Sequence, residues 1–190
     1  MKKFLLFLLV ATFSFYSTNA QEALKGGGIK VGANFGLPLS AAGDVASFNF
    51  GVDVAYLVEV IDNLEVGGLV GYTHYLGDGT YSYVTNGGSL IIADYDDTSF
   101  IPIAASGRYS FADGKFFAGL DLGYALNVSG DADGGFYYRP KFGFNLGVVT
   151  LLAMYQGISG GISTNSSYNY RNVYSVSGFN SFNVGVEMGF

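Results

Sequence analysis

The chain has no cysteine, and that absence removes a disulfide scaffold, a thiol redox site and a zinc finger together. It also removes a lipoprotein anchor, which needs a cysteine to carry the lipid. Charge is scarce as well. Asp, Glu, Lys and Arg make up 13% of the 190 residues, against roughly a quarter in ordinary soluble domains. What charge exists is acidic: a formal −6 with a pI near 4.5 excludes a basic nucleic-acid binder. The helical i, i+3, i+4 pattern is nowhere sustained. Beyond residue 20, no apolar run approaches the roughly 18 residues a membrane helix needs. Against these absences stand 49% hydrophobic residues, 29 glycines, 15 tyrosines, 17 phenylalanines and a mean hydropathy of +0.32. So much apolar and aromatic content excludes disorder.

The N-terminus reads as an address. Met1-Lys2-Lys3 is a basic start, 4–15 is an uncharged apolar run, and Ser17-Thr18-Asn19-Ala20 is small and polar. This is the pattern of a secretory signal peptide. Residues 1–20 are therefore expected to be cleaved, leaving Gln21 first and 21–190 as one domain. Loss of Lys2 and Lys3 takes the formal charge from −6 to −8.

The remaining chain alternates with period two, the signature of half-buried strands. The first run sets Ile29, Val31, Ala33, Phe35 and Leu37 against Lys30, Gly32, Asn34 and Gly36. The second sets Phe48, Phe50, Val52, Val54, Tyr56 and Val58 against Asn49, Gly51, Asp53, Ala55 and Glu59. Further runs lie over 64–73, 101–111, 118–127, 136–144, 149–155 and 182–190. The seventh is the least clean, because Leu152 and Met154 fall on its other face. Eight strands of about ten residues have the length a tilted strand needs to cross a bilayer. Short turns at Asp62-Asn63, Ala112-Asp113-Gly114 and 145–147 alternate with long loops over 38–47, 77–99, 128–135 and 159–177. Short turns on one side and long loops on the other match the periplasmic and extracellular ends of an outer-membrane barrel.

Two all-β architectures fit the alternation: a lipocalin-like soluble barrel with its apolar face inside, and a membrane barrel with it outside. The strand charges Lys30, Asp53, Glu59, Glu65, Arg108, Asp121, Arg139, Lys141 and Glu187 all fall opposite the apolar face, which alone decides nothing. Glycine does decide. Gly32, Gly36, Gly51, Gly67, Gly71, Gly119, Gly123, Gly143 and Gly185 crowd that same face. Small residues suit a narrow lumen, whereas strand glycines on a solvated exterior weaken a sheet without a packing gain. Tyrosine and phenylalanine also recur near run ends, as in aromatic girdles. The expected fold is all-β: an eight-stranded antiparallel up-and-down transmembrane β-barrel.

The segments FIPIAASGRYSF, FFAGLDLGYAL and GFYYRPKFGFNLG are similar to those of small bacterial outer-membrane β-barrel domain proteins of the OmpA-transmembrane or OmpX type. The alternating end Phe182, Val184, Val186, Met188 and Phe190 resembles the C-terminal signal by which outer-membrane proteins engage the barrel-assembly machinery. The resemblance covers about 28–190 and implies fold and location: the Gram-negative outer membrane, in contact with its lipid and lipopolysaccharide. It brings no catalytic motif, and the peptidoglycan-anchoring role of full-length OmpA is not implied.

For chemistry, the nine strand charges are expected to pair across the lumen, since unpaired buried charge is costly. A lumen plugged by paired charges implies a structural or cell-surface interaction role. The alternative is a narrow pore gated by one such pair. The long loops carry Asp44, Asp78, Asp94, Asp96, Asp97, Asp131 and Asp133 against Arg171, so the acidity gathers at one end. Asp94, Asp96, Asp97, Asp131 and Asp133 are weak candidates for divalent cations; without EF-hand spacing the expectation is solvated acid, no metal and no cofactor. In the second loop, Thr80 to Val84 and Ser89 to Ile92 flank Asn86-Gly87, a type I′ hairpin signal. The expectation is a ribbon that extends the third and fourth strands beyond the membrane, with a protein partner met through loops two and four by a monomer. A third reading, a lipid-modifying outer-membrane enzyme, is less favoured and enzyme action is not expected: the single histidine, His74, alternates with Tyr72 on the lipid face, and neither Ser106 nor the loop serines are framed by a nucleophile motif.

Overall fold

A computed structural model describes residues 28–84, 90–163 and 175–190, with the backbone alone described over 81–84, 90–94, 162–163 and 175–176. The expected signal peptide, the Asn86-Gly87 turn and Arg171 lie outside the described residues. Eight strands form the barrel wall: β1 (Gly28–Leu39), β2 (Ala46–Ile61), β3 (Leu64–Gly77), β6 (Thr98–Phe111), β7 (Phe116–Ser129), β8 (Gly135–Asn145), β9 (Val149–Ile158) and β12 (Phe179–Gly189). Each pairs antiparallel with its neighbour in the chain, and β1 closes on β12, so the sheet has no free edge. Two small ribbons stand apart from that wall. One pairs β4 (Thr80–Val84) with β5 (Leu90–Asp94); the other pairs β10 (Ile162–Ser163) with β11 (Ser175–Val176).

The strands form where period-two alternation meets β-branched and aromatic residues. Val52 and Val54 are 54% and 41% exposed while Asp53 between them is 8% exposed. The same inversion holds around the wall: Ile103, Leu122, Tyr124, Phe142 and Phe182 point out, and Arg108, Asp121, Arg139 and Glu187 are buried. A soluble barrel has the opposite polarity. The strands also run past the clean alternation: β2 begins at Ala46 and β3 ends at Gly77. The connection after β1 is a 3-10 helix (Ser40–Asp44) that buries Ala42. At the other end the β2–β3 turn places Asn63 at φ 68°, a left-handed conformation asparagine tolerates.

Closure at the chain ends is complete. Phe182, Val184, Val186, Met188 and Phe190 all face outward. Val186 lies opposite Ala33, and the Phe190 and Ile29 backbones exchange hydrogen bonds of 2.8 and 3.2 Å.

Candidate functional site: the filled lumen and the outer rim

Inward-facing side chains fill the barrel in layers. In the half nearest the short turns, Arg108 of β6 bonds Glu65 of β3 and reaches across to Glu187 of β12 at 2.7 Å. Its guanidinium lies 4.9 Å from the centre of the Phe117 ring, a cation–π contact. Phe117 can lie there because β8 offers Gly143 beneath it, where a Cβ would collide with the ring. Lys30 faces the same group of charges from β1.

In the next layer Arg139 of β8 bonds Asp121 of β7 at 2.9 Å and Asp53 of β2 at 2.8 Å. Lys141 adds a 2.7 Å bond to Asp121 and a 3.2 Å bond to Ser106. Pairing every buried charge offsets the cost of removing it from water. Glu59 stands apart from this network. It lies at the end of β2, where its carboxylate accepts the Asn63 backbone N–H at 2.9 Å and holds the turn. Without it, the lumen balances four bases (Lys30, Arg108, Arg139, Lys141) against four acids (Asp53, Glu65, Asp121, Glu187).

Amides and aromatics take over toward the long loops. Asn183 donates to Asn34 at 3.0 Å and accepts from Asn49 at 3.4 Å. Above them Gln156 donates to the Tyr75 hydroxyl at 3.2 Å, which also meets Ser181 at 3.2 Å. Tyr75, Phe100 and Phe179 then pack ring to ring at 5.1–6.1 Å between centroids. Ala42 from the 3-10 helix, Val45 and Ala132 join the same buried cluster. The sequence shows this aromatic layer only as phenylalanines and tyrosines at the strand ends on the nominally polar face. Polarity is the wrong signal for it, because what matters there is volume.

The outer rim holds a second constellation. Register places His74 of β3 opposite Ser99 of β6. His74 Nδ1 is 2.8 Å from Ser99 Oγ, and the Tyr72 hydroxyl donates to that same oxygen at 3.0 Å. Asp97 Oδ2 lies 3.4 Å from His74 Nε2. His74 does face outward with Tyr72, but it is not alone. Spacing along the chain could not show a serine and an aspartate more than twenty residues away; only the β3–β6 register brings them in.

Of the loop acids, Asp96, Asp97 and Asp131 line one open polar cleft with Tyr95, Ser129 and Gly130. Asp97 also accepts the Gly77 backbone N–H at 2.8 Å. Among the described residues no three His, Cys, Asp or Glu side chains converge to hold a metal. Nothing is described of the Asp94 side chain.

An antiparallel barrel with a charged, packed interior and an apolar exterior, its short turns at one end and long loops at the other, is a transmembrane β-barrel of the outer-membrane type. No family model and no curated protein matches the chain. Solved structures similar to it include the outer membrane protein Ail of Yersinia pestis, at 11% identity over 86% of this chain and 99% of that one, with a TM-score of 0.45. Neisserial surface protein A is 18% identical, over 89% of this chain and 100% of that one, with a TM-score of 0.46. The beta domain of the Bordetella autotransporter BrkA is 14% identical, over 87% and 100%, with a TM-score of 0.27.

Proposed function

We propose that the protein is a monomeric outer-membrane surface protein in which a sealed barrel serves as scaffold and the outer loops meet a protein partner. The observation that carries this reading is the filled lumen. Ion pairs, amides and a three-ring aromatic layer succeed one another from end to end, and the 3-10 helix adds Ala42 at the loop end. A barrel packed in this way leaves its outer end as the place for contact. Among the described residues the β4–β5 ribbon there belongs to no other sheet, and an unpaired strand edge accepts an extended segment of another chain. Lipid and lipopolysaccharide meet the apolar belt, and the barrel-assembly machinery meets the β12 end during biogenesis.

Protease treatment of intact cells tests the arrangement. Cleavage is expected within 80–94 or 159–178, with the rest of the barrel protected. Cleavage confined to the short turns, or none until the outer membrane is opened, would reverse or remove the surface assignment.

A further inference from the structure

The rim carries a run of four polar side chains that a sealed scaffold does not use, three of them hydrogen-bonded to one another and the fourth a carboxylate 3.4 Å from the imidazole. Tyr72, His74 and Ser99 share one outward face, and Asp97 reaches His74 from the segment before β6. Asp97 is fixed by the Gly77 backbone N–H on its other oxygen. The imidazole is flanked by rings, Phe50 at 5.1 Å and Tyr72 at 6.3 Å between centroids.

One tautomer of His74 fits these contacts: with its N–H on the Nε2 side, toward the Asp97 carboxylate, the imidazole offers the Nδ1 lone pair to Ser99. With the Tyr72 hydroxyl donating to Ser99 Oγ, the serine proton points to Nδ1. A serine donating to a histidine whose far nitrogen is held by an aspartate is the arrangement that activates a hydroxyl nucleophile. The two ring nitrogens are exchanged relative to the serine-protease triad, but such sites are recognised by geometry and role.

We propose that Ser99, His74, Asp97 and Tyr72 form an acyl-transfer site that hydrolyses carboxylic esters of lipids in the outer leaflet. The inference rests on the rim lying at that leaflet, where the ester linkages of membrane lipids meet the barrel wall. Ser99 Oγ bonds to the ester carbonyl carbon while its proton passes to His74 Nδ1. The carbon–oxygen bond to the alcohol then breaks, and the same proton goes to the departing oxygen. Water, giving a proton to Nδ1, attacks the acyl-serine; the fatty acid leaves and the proton returns to Ser99. Asp97 keeps the ring in the right tautomer throughout. Ser99 is only 2% exposed beneath Tyr72 and His74, whereas Tyr72 is 37% exposed. An acyl chain entering from the lipid side displaces the Tyr72 ring and meets its hydroxyl as a donor to the carbonyl oxygen, where negative charge develops.

The test is covalent labelling of the full mature chain, folded in detergent micelles, with a fluorophosphonate probe and peptide mapping. Ser99 is the expected labelled residue. Labelling should vanish in Ser99→Ala and slow by about 10²- to 10⁴-fold in His74→Ala, the usual contribution of a general base. Fatty acid release from phosphatidylethanolamine vesicles or from lipopolysaccharide vesicles identifies which lipid supplies the ester. An unlabelled Ser99 in wild-type protein that still shows heat-modifiable gel migration overturns the site and leaves the barrel intact as a scaffold. Equal labelling in His74→Ala, or release from neither vesicle, overturns it as well.

Discussion

Arg139 holds the middle of the lumen with two carboxylates and a stacked ring: Asp53 at 2.8 Å, Asp121 at 2.9 Å and the Tyr137 ring centre 5.9 Å away. Each bond is charge-assisted and shielded from water. Among the described residues, removing the guanidinium leaves Asp53 without a cation within bonding distance and Asp121 with Lys141 alone. Arg139→Ala is expected to destabilise the barrel by about 3–5 kcal/mol, the cost of stranding a buried charge, read by urea unfolding in vesicles. Lys30→Ala should cost distinctly less, since Lys30 is half-buried and belongs to no direct ion pair of the lumen network. Equal losses would mean that the charges act as a diffuse field and not as bonded partners.

At the scale of elements, wall and ribbon are separate. Among the described residues β4 and β5 pair only with each other, and their base is tied by the Tyr95 N–H to Gly79 carbonyl bond at 3.2 Å. No ladder bond of the barrel passes through them. Replacing 80–94 with a short glycine-serine linker is therefore expected to leave heat-modifiable migration and membrane insertion unchanged, while abolishing any partner binding carried by the second loop. Loss of the folded band would show that the ribbon templates β3–β6 pairing. The wall was legible in the sequence because alternation survives in it: Val52-Asp53-Val54 declares its two faces without help. The ribbon was legible only as a hairpin, and it does not extend the flanking wall strands as expected, because β3 ends at Gly77, β6 begins at Thr98 and β4–β5 forms a sheet of its own. The rim constellation was not legible. His74 and Ser99 are neighbours only through register, and register depends on the whole β3–β6 ladder. The same holds for Glu59, which alternation places with the lumen charges and which the turn claims through Asn63.

The whole molecule is a membrane wall around a packed interior. Its outward belt of aliphatic and aromatic side chains suits hydrocarbon, and the closed ring of strands pairs its backbone groups internally, as a structure that crosses a membrane must. Because rings and bonded side chains occupy the lumen, the purified protein should give no stepwise conductance above background in planar bilayers. Defined single-channel steps in wild-type protein would restore the pore alternative. The aromatic seal behind this expectation was hidden from sequence, since Tyr75, Phe100 and Phe179 have the composition of lipid-facing residues and only their inward placement reveals them.

Arg108 and Arg139 each bond one adjacent strand and one distant one: β6 with its neighbour β3 and with β12, β8 with its neighbour β7 and with β2. Glu187 takes its place only when the last strand has docked on the first, with Glu187 opposite Gly32. A slip of two residues at that seam keeps every apolar side chain facing lipid, yet moves Glu187 by about 6–7 Å, two strand rises, and strips Arg108 of a partner. Hydrophobicity cannot detect such an error. The buried charges can, which makes the lumen a proofreading device for the final act of barrel closure.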